Sequence, residues 1–146
     1  MQQSGVKILA FVCNWCSLGG ADAAGLARLQ QPTNVRIIRV MCSGRIDPPF
    51  VFKAFSSGKA DGVLITGCHI GDCHYLAGNF KTEKRYEYLR DIIEGMGLEP
   101  ERIQLEWISA SEGGKWAETI NKFVATIEKL GPSPIRAYLN TSKVEG

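Results

Sequence analysis

Four times along this chain a short apolar run is followed by a longer segment with helical spacing, and this alternation constrains the fold more than any other feature. The runs are residues 6–12, 35–41, 61–66 and 102–108. The first is almost continuously apolar (Val6, Ile8, Leu9, Ala10, Phe11, Val12), as expected of a strand covered on both faces. The second carries Arg36 and Arg39, which predicts a partly exposed or edge strand. The fourth alternates Ile103, Leu105 and Trp107 with Gln104 and Glu106. Helices are predicted over 21–31, with Leu26 and Leu29 in the core, and over 50–55, with Pro48 or Pro49 in the first turn, where a missing N–H is harmless. A third over 81–96 places Tyr86, Leu89, Ile92, Ile93 and Met96 on one face, with Gly97 as its cap. A fourth over 115–130 carries Trp116, Ile120, Phe123, Val124 and Ile127. Strand then helix, four times over, predicts an α/β fold: a single small domain with a four-stranded, mostly parallel sheet flanked by helices and joined by right-handed crossovers. The domain is read as residues 1–130. Residues 131–146 are a C-terminal extension, opened by the breaker Gly131-Pro132-Ser133-Pro134. Its Ile135, Tyr138 and Leu139 are too apolar for a solvated tail, so it is read as an arm packing on this domain or on a partner.

Cysteines follow three of the four strands. Cys13 and Cys16 come after the first, Cys42 after the second, and Cys68 and Cys73 after the third. In open parallel sheets ligands bind outside the carboxyl ends of the strands, so periodicity alone puts all five thiols at the ligand-binding edge. The densest stretch is Gly67-Cys68-His69-Ile70-Gly71-Asp72-Cys73-His74-Tyr75, which holds both histidines of the chain. Taken alone, Cys13-x-x-Cys16 fits buried packing, a thioredoxin-type dithiol or paired metal ligation. Cys68-x4-Cys73 has the spacing of half a plant-type ferredoxin pattern, without the rest. Together, five cysteines at three strand ends point to one metal centre. Zinc is open on ligand type, given the one CxxC and the flanking histidines. A [2Fe–2S] cluster needs four thiolates and accepts them from separate loops, leaving one of the five surplus. Cys13 and Cys42 are first candidates, because they leave adjacent strands at similar depth.

Around these thiols, Gly44, Gly67 and Gly71 let backbone N–H groups approach sulfur, and such hydrogen bonds tune potential. Arg45, His69 and His74 are candidates to donate hydrogen bonds or charge rather than to ligate. Trp15 would shield the centre or dock a partner, and Asp72 is read as a turn residue. The loop from Ser109 to Gly114 has helix-start chemistry and is expected to cap the last helix.

Other classes find little support. A net charge of +2 with no basic run argues against nucleic acid. The apolar runs are strand-sized, not membrane-spanning. Met1-Gln2-Gln3-Ser4-Gly5 lacks signal-peptide features, so the protein is read as cytoplasmic, where disulfides are rare; the odd cysteine count points the same way. There is no GxGxxG, no phosphate loop and no nucleophile elbow, and Gly19-Gly20 is a poor substitute. With both histidines beside cysteines, no separate acid–base site is visible and no catalytic residue is assigned.

Cys13-Asn14-Trp15-Cys16, Met41-Cys42-Ser43-Gly44-Arg45, the 67–75 block and Glu106-Trp107-Ile108-Ser109-Ala110-Ser111-Glu112 resemble, in order, the delta (iron–sulfur) subunit of methyl-viologen-reducing [NiFe] hydrogenase. The resemblance runs to about Leu130. It implies an electron-transfer subunit with a [2Fe–2S] cluster held by four of Cys13, Cys16, Cys42, Cys68 and Cys73. Such a protein relays electrons from a [NiFe] hydrogenase, or in related systems a formate dehydrogenase, to the flavin-containing A subunit of heterodisulfide reductase. The setting it implies is methanogenesis, with flavin-based electron bifurcation.

Overall fold

The computed structural model describes residues 5–71 and 78–144. The strands are β1 (Ile8–Cys13), β2 (Val35–Val40), β3 (Gly62–Gly67) and β4 (Ile103–Trp107). The helices are α1 (Ser17–Leu26), α2 (Pro48–Ser56), α3 (Gly78–Gly95), α4 (Gly113–Leu130) and α5 (Pro134–Val144). All three strand pairings are parallel, in the order β2-β1-β3-β4. The fold is therefore α/β with a four-stranded sheet between helical layers. β2 is an edge strand and mostly exposed, as its arginines predict. β3 is buried along its whole length.

Alternate residues of β1 serve different cores. Ile8, Ala10 and Val12 pack with α1 and α4; Leu9 and Phe11 face the side covered by α2 and α3. α4 buries all five apolar residues expected of it, Trp116, Ile120, Phe123, Val124 and Ile127. Full burial of such side chains contributes about 1.5–3 kcal/mol each, which makes this helix the main cover of its face. In α3, Leu89 and Ile93 are buried and Tyr86 and Ile92 half-buried, but Met96 is exposed beyond the helix end. Gly97 there has φ of 84°, the left-handed geometry of a helix stop.

Two expectations for the first helix need correction. Leu26 and Leu29 are not core; they are 87% and 39% exposed. α1 starts at Ser17, four residues before the predicted 21, and its buried stripe is Ser17, Gly20, Ala21 and Ala24. Nine residues past Ser17, Leu26 lies about half a turn away on the solvent side. The small stripe lets α1 press against the β4–α4 connection. A Cβ on Gly20 would lie 2.8 Å from the Ser109 carbonyl oxygen, so close packing accounts for this glycine. The extension forms a helix, and of the two placements expected of this arm it takes the one on its own domain. Ser133 Oγ accepts the Arg136 N–H at 3.1 Å and Pro134 takes the first helical position, so the supposed breaker is an N-cap. α5 packs on α2 of this same chain, and Ile135 joins the second core.

Candidate metal centre

The strand order reverses at β1 and β3: the chain leaves β1 for β2 on one side, then crosses back to β3 on the other. Splaying connections leave a crevice at such a switch point, at the carboxyl strand ends. Cys13 closes β1 and Cys68 directly follows β3. Their Sγ atoms are 3.5 Å apart across 55 residues of sequence. Cys42, just past β2, packs with both, and Cys16, at the start of α1, packs against the three. Cys13, Cys42 and Cys68 are buried and Cys16 is half-buried. The fifth, Cys73, lies outside the described residues, as do Asp72, His74 and Tyr75. Burial, then the neighbouring Cys16 and Cys13, pushes the Cys68 thiol far up from its ordinary value, so in this packing it holds its proton.

Around the thiols the backbone approaches closely. The Gly44 N–H donates to Cys42 Sγ at 3.4 Å. A Cβ on Gly67 would lie 2.8 Å from Ser43 Oγ and 3.0 Å from Trp107 Cζ3, so glycine is needed where three strand ends converge. His69 Nε2 bonds to the Glu112 carboxylate, which also accepts the Ser109 N–H at 2.9 Å. His69 first, then that N–H, holds Glu112 down to about 2. The expected side-chain cap of α4 is not made: Glu112 holds the N-cap position without a capping hydrogen bond, and its carboxylate instead ties the β4–α4 loop to the residue beside Cys68. Arg45 is exposed, as is Trp15 between two of the cysteines. Met41, Phe50, Ile70 and Phe80 are also large, apolar and exposed, each beside a cysteine loop or in the first turns of a helix at this end. Asn79, Thr82 and Arg85 on α3 were not legible as site residues in the sequence. Nothing but the turn of the helix signals that they share a face.

Among the described residues, no three or more Cys, His, Asp or Glu side chains stand ready around one point to hold a metal ion; the thiols touch one another instead. Their chemistry nevertheless fits an iron–sulfur group. The donors are soft, buried sulfurs from separate loops, with a backbone N–H already aimed at one of them. A metal would replace the Cys68 proton that burial otherwise holds in place. Among the described residues no helix is long and apolar enough to cross a membrane.

Residues 8–131 match the family described as methyl-viologen-reducing hydrogenase, delta subunit. A relative from Methanococcus voltae, named as the vhc iron–sulfur D subunit of F420-non-reducing hydrogenase, is 52% identical over 139 residues, covering 95% of this chain and 94% of that protein. A counterpart from Archaeoglobus profundus, named as the iron–sulfur D subunit of the same kind of hydrogenase, is 50% identical over 126 residues, covering 86% of this chain and 91% of its own length. A third relative, from Methanosarcina acetivorans, is named as the A subunit of a ferredoxin/F(420)H(2)-dependent CoB-CoM heterodisulfide reductase. It is 50% identical over 125 residues, which are 86% of this chain and only 16% of that much longer protein.

Proposed function

The chain belongs to the methyl-viologen-reducing hydrogenase delta-subunit family, and on that premise we propose that it is an electron-transfer subunit holding a [2Fe–2S] cluster through four of Cys13, Cys16, Cys42, Cys68 and Cys73. When bound, the cluster supplies a one-electron couple; the protein supplies position, potential and docking. The observation that carries this reading is the meeting of four thiols from three strand-end loops at the switch point of the sheet. A CxxC dithiol would pair Cys13 with Cys16, whereas Cys13 Sγ lies against Cys68 Sγ, which favours a shared site. Residues 1–130 are the cluster-bearing unit, and 131–146 are an extension whose helix α5 packs on α2.

The donor is a [NiFe] hydrogenase, or a formate dehydrogenase in a related assembly, and the acceptor is the flavin-containing A subunit of heterodisulfide reductase. Two findings support these partners: relatives named as hydrogenase iron–sulfur subunits, and a related sequence built into a heterodisulfide reductase polypeptide of the A type. The assembly works in the cytoplasm in methanogenesis and feeds electron bifurcation. The exposed apolar side chains around the cysteine loops suit a surface that a redox partner covers.

Anaerobic purification followed by iron, sulfide and zinc analysis, with visible and reduced-state EPR spectra, tests the reading. About two iron and two sulfide per chain are expected. Stoichiometric zinc without iron or sulfide would sink it. Single Cys→Ser variants then identify the surplus thiol as the one whose loss leaves the cluster spectrum intact.

A further inference from the structure

The first two turns of α3 contact two separate cysteine loops, and they do so with polar side chains on one helix face. Asn79 is fully buried and gives both amide protons away, to the Cys68 carbonyl at 3.1 Å and the His69 carbonyl at 2.8 Å. Thr82, three residues on, meets the buried Ser43 hydroxyl at 2.9 Å, and Ser43 adjoins Cys42. Arg85, a further three on, donates to the Gly44 carbonyl at 2.5 Å and pairs with Asp47 at 3.3 Å. Gly44 in turn carries the N–H directed at Cys42 Sγ. The loop and the helix touch closely: a Cβ on Gly44 would lie 3.0 Å from Gly78 Cα. Successive spacings of three residues put these groups on one side of the helix.

The Asn79 Oδ1 atom is buried with no hydrogen-bond partner among the described residues. An orphaned acceptor is a poor choice for a position that only needs filling, since burying it unpaired costs stability. What asparagine supplies here is two donors at fixed separation, spanning the carbonyls on either side of the Cys68–His69 peptide bond.

We propose that Asn79 and Thr82 are positioning residues for the metal centre, holding the Cys42 and Cys68 loops in fixed register so that their sulfurs reach one group. The inference rests on the cluster reading above. Residues that orient ligands without touching metal commonly change metal affinity ~10–100-fold when replaced. Asn79→Asp keeps the volume but sets acceptors against two carbonyls. Thr82→Val keeps the shape and removes the hydroxyl, and Thr82→Ser restores it. Ile120→Val, in the core on the opposite face of the sheet, serves as a control that lowers stability alone.

The test follows cluster loss to an iron chelator and the reduced EPR spectrum of the full-length, anaerobically purified chain. Asn79→Asp and Thr82→Val should lose iron ~10–100-fold faster with altered EPR spectra. Thr82→Ser should return toward wild type, and Ile120→Val should keep both wild-type properties despite a lower melting temperature. Wild-type loss rates and spectra in both α3 variants would overturn the proposal, as would equally fast loss from Ile120→Val. Should Asn79→Asp yield no folded protein, the Thr82 pair decides. Wild-type chain without iron and sulfide would defeat the cluster reading itself and this inference with it.

Discussion

The two ends of the sheet both bury polar groups, and they treat them in opposite ways. At the amino end, fully buried Asp61 accepts the Lys7 N–H at 2.7 Å and the Ser133 N–H at 2.8 Å, and pairs with Arg136. Nearby Arg102, also buried, bonds to Glu99 at 2.5 Å and donates to the carbonyls of Asp61 and Gly131 at 3.0 and 2.9 Å. These charges are paired and hydrogen-bonded, as burial requires. At the carboxyl end the buried groups are thiols that touch one another, beside an amide oxygen with no partner among the described residues. One end is chemically complete and locks the C-terminal segment to the domain. The other gathers the thiols proposed to hold the cluster. On the proposed reading, stability and function lie at opposite edges of one small sheet.

Substitutions at either end sharpen or break this contrast. The largest stability effect is expected from Asp61→Ala, which breaks the pair with Arg136 and takes the acceptor from the Lys7 and Ser133 N–H groups. Breaking a buried pair in this way costs ~3–5 kcal/mol, measurable by urea unfolding of the metal-free chain. Iron and sulfide content of the folded fraction should be unchanged; loss of cluster at wild-type stability would invert the proposed division. At the carboxyl end, Gly67→Ala drives a methyl into Ser43 and Trp107. Such overpacking costs ~1–3 kcal/mol, and here it should also lower iron content, because the displaced residues flank Cys42 and Cys68. Normal iron content in a destabilised Gly67→Ala would show that the crowding stops short of the thiols.

The smallest effect concerns pH. The Arg102 guanidinium holds the Glu99 carboxyl below its ordinary 4.5. A carboxylate depressed on folding contributes stability in full above its unfolded value and loses it as pH falls toward the folded one. Glu99→Gln should therefore flatten the acid limb of the melting curve while changing little at neutral pH beyond a constant offset. Thermal melts of the metal-free pair, from neutral pH down through the carboxylate range, check this. An unchanged acid limb would remove Glu99 from the lock.

Much of this was legible before any coordinates. Residues 8, 10 and 12 alternate with 9 and 11 because a strand buried on both faces needs apolar side chains on each, and that pattern survives in sequence. The five apolar residues of α4 fall on a helical stripe for the same reason. Cysteines at three strand ends were legible as neighbours, because parallel strands all end at one edge, and four of them do meet there. Ser133-Pro134 carried a helix-start signal that the preceding Gly131-Pro132 masked. Leu26 misled because a helix whose buried stripe is glycine, alanine and serine leaves its leucine outside.

The sequence by itself determined the fourfold strand–helix alternation, the class of fold, and the edge of the sheet where the thiols gather. These are local properties, written in periodicities of two and 3.6 residues. Only the tertiary structure decided that β1 lies between β2 and β3, so that Cys13 and Cys68 meet across 55 residues. It alone brought Glu112 to His69, Asn79 to the Cys68 loop, and Arg102 beneath the C-terminal helix. Those pairings depend on strand order and register, set by which surfaces bury most completely together. No short window of sequence contains both partners.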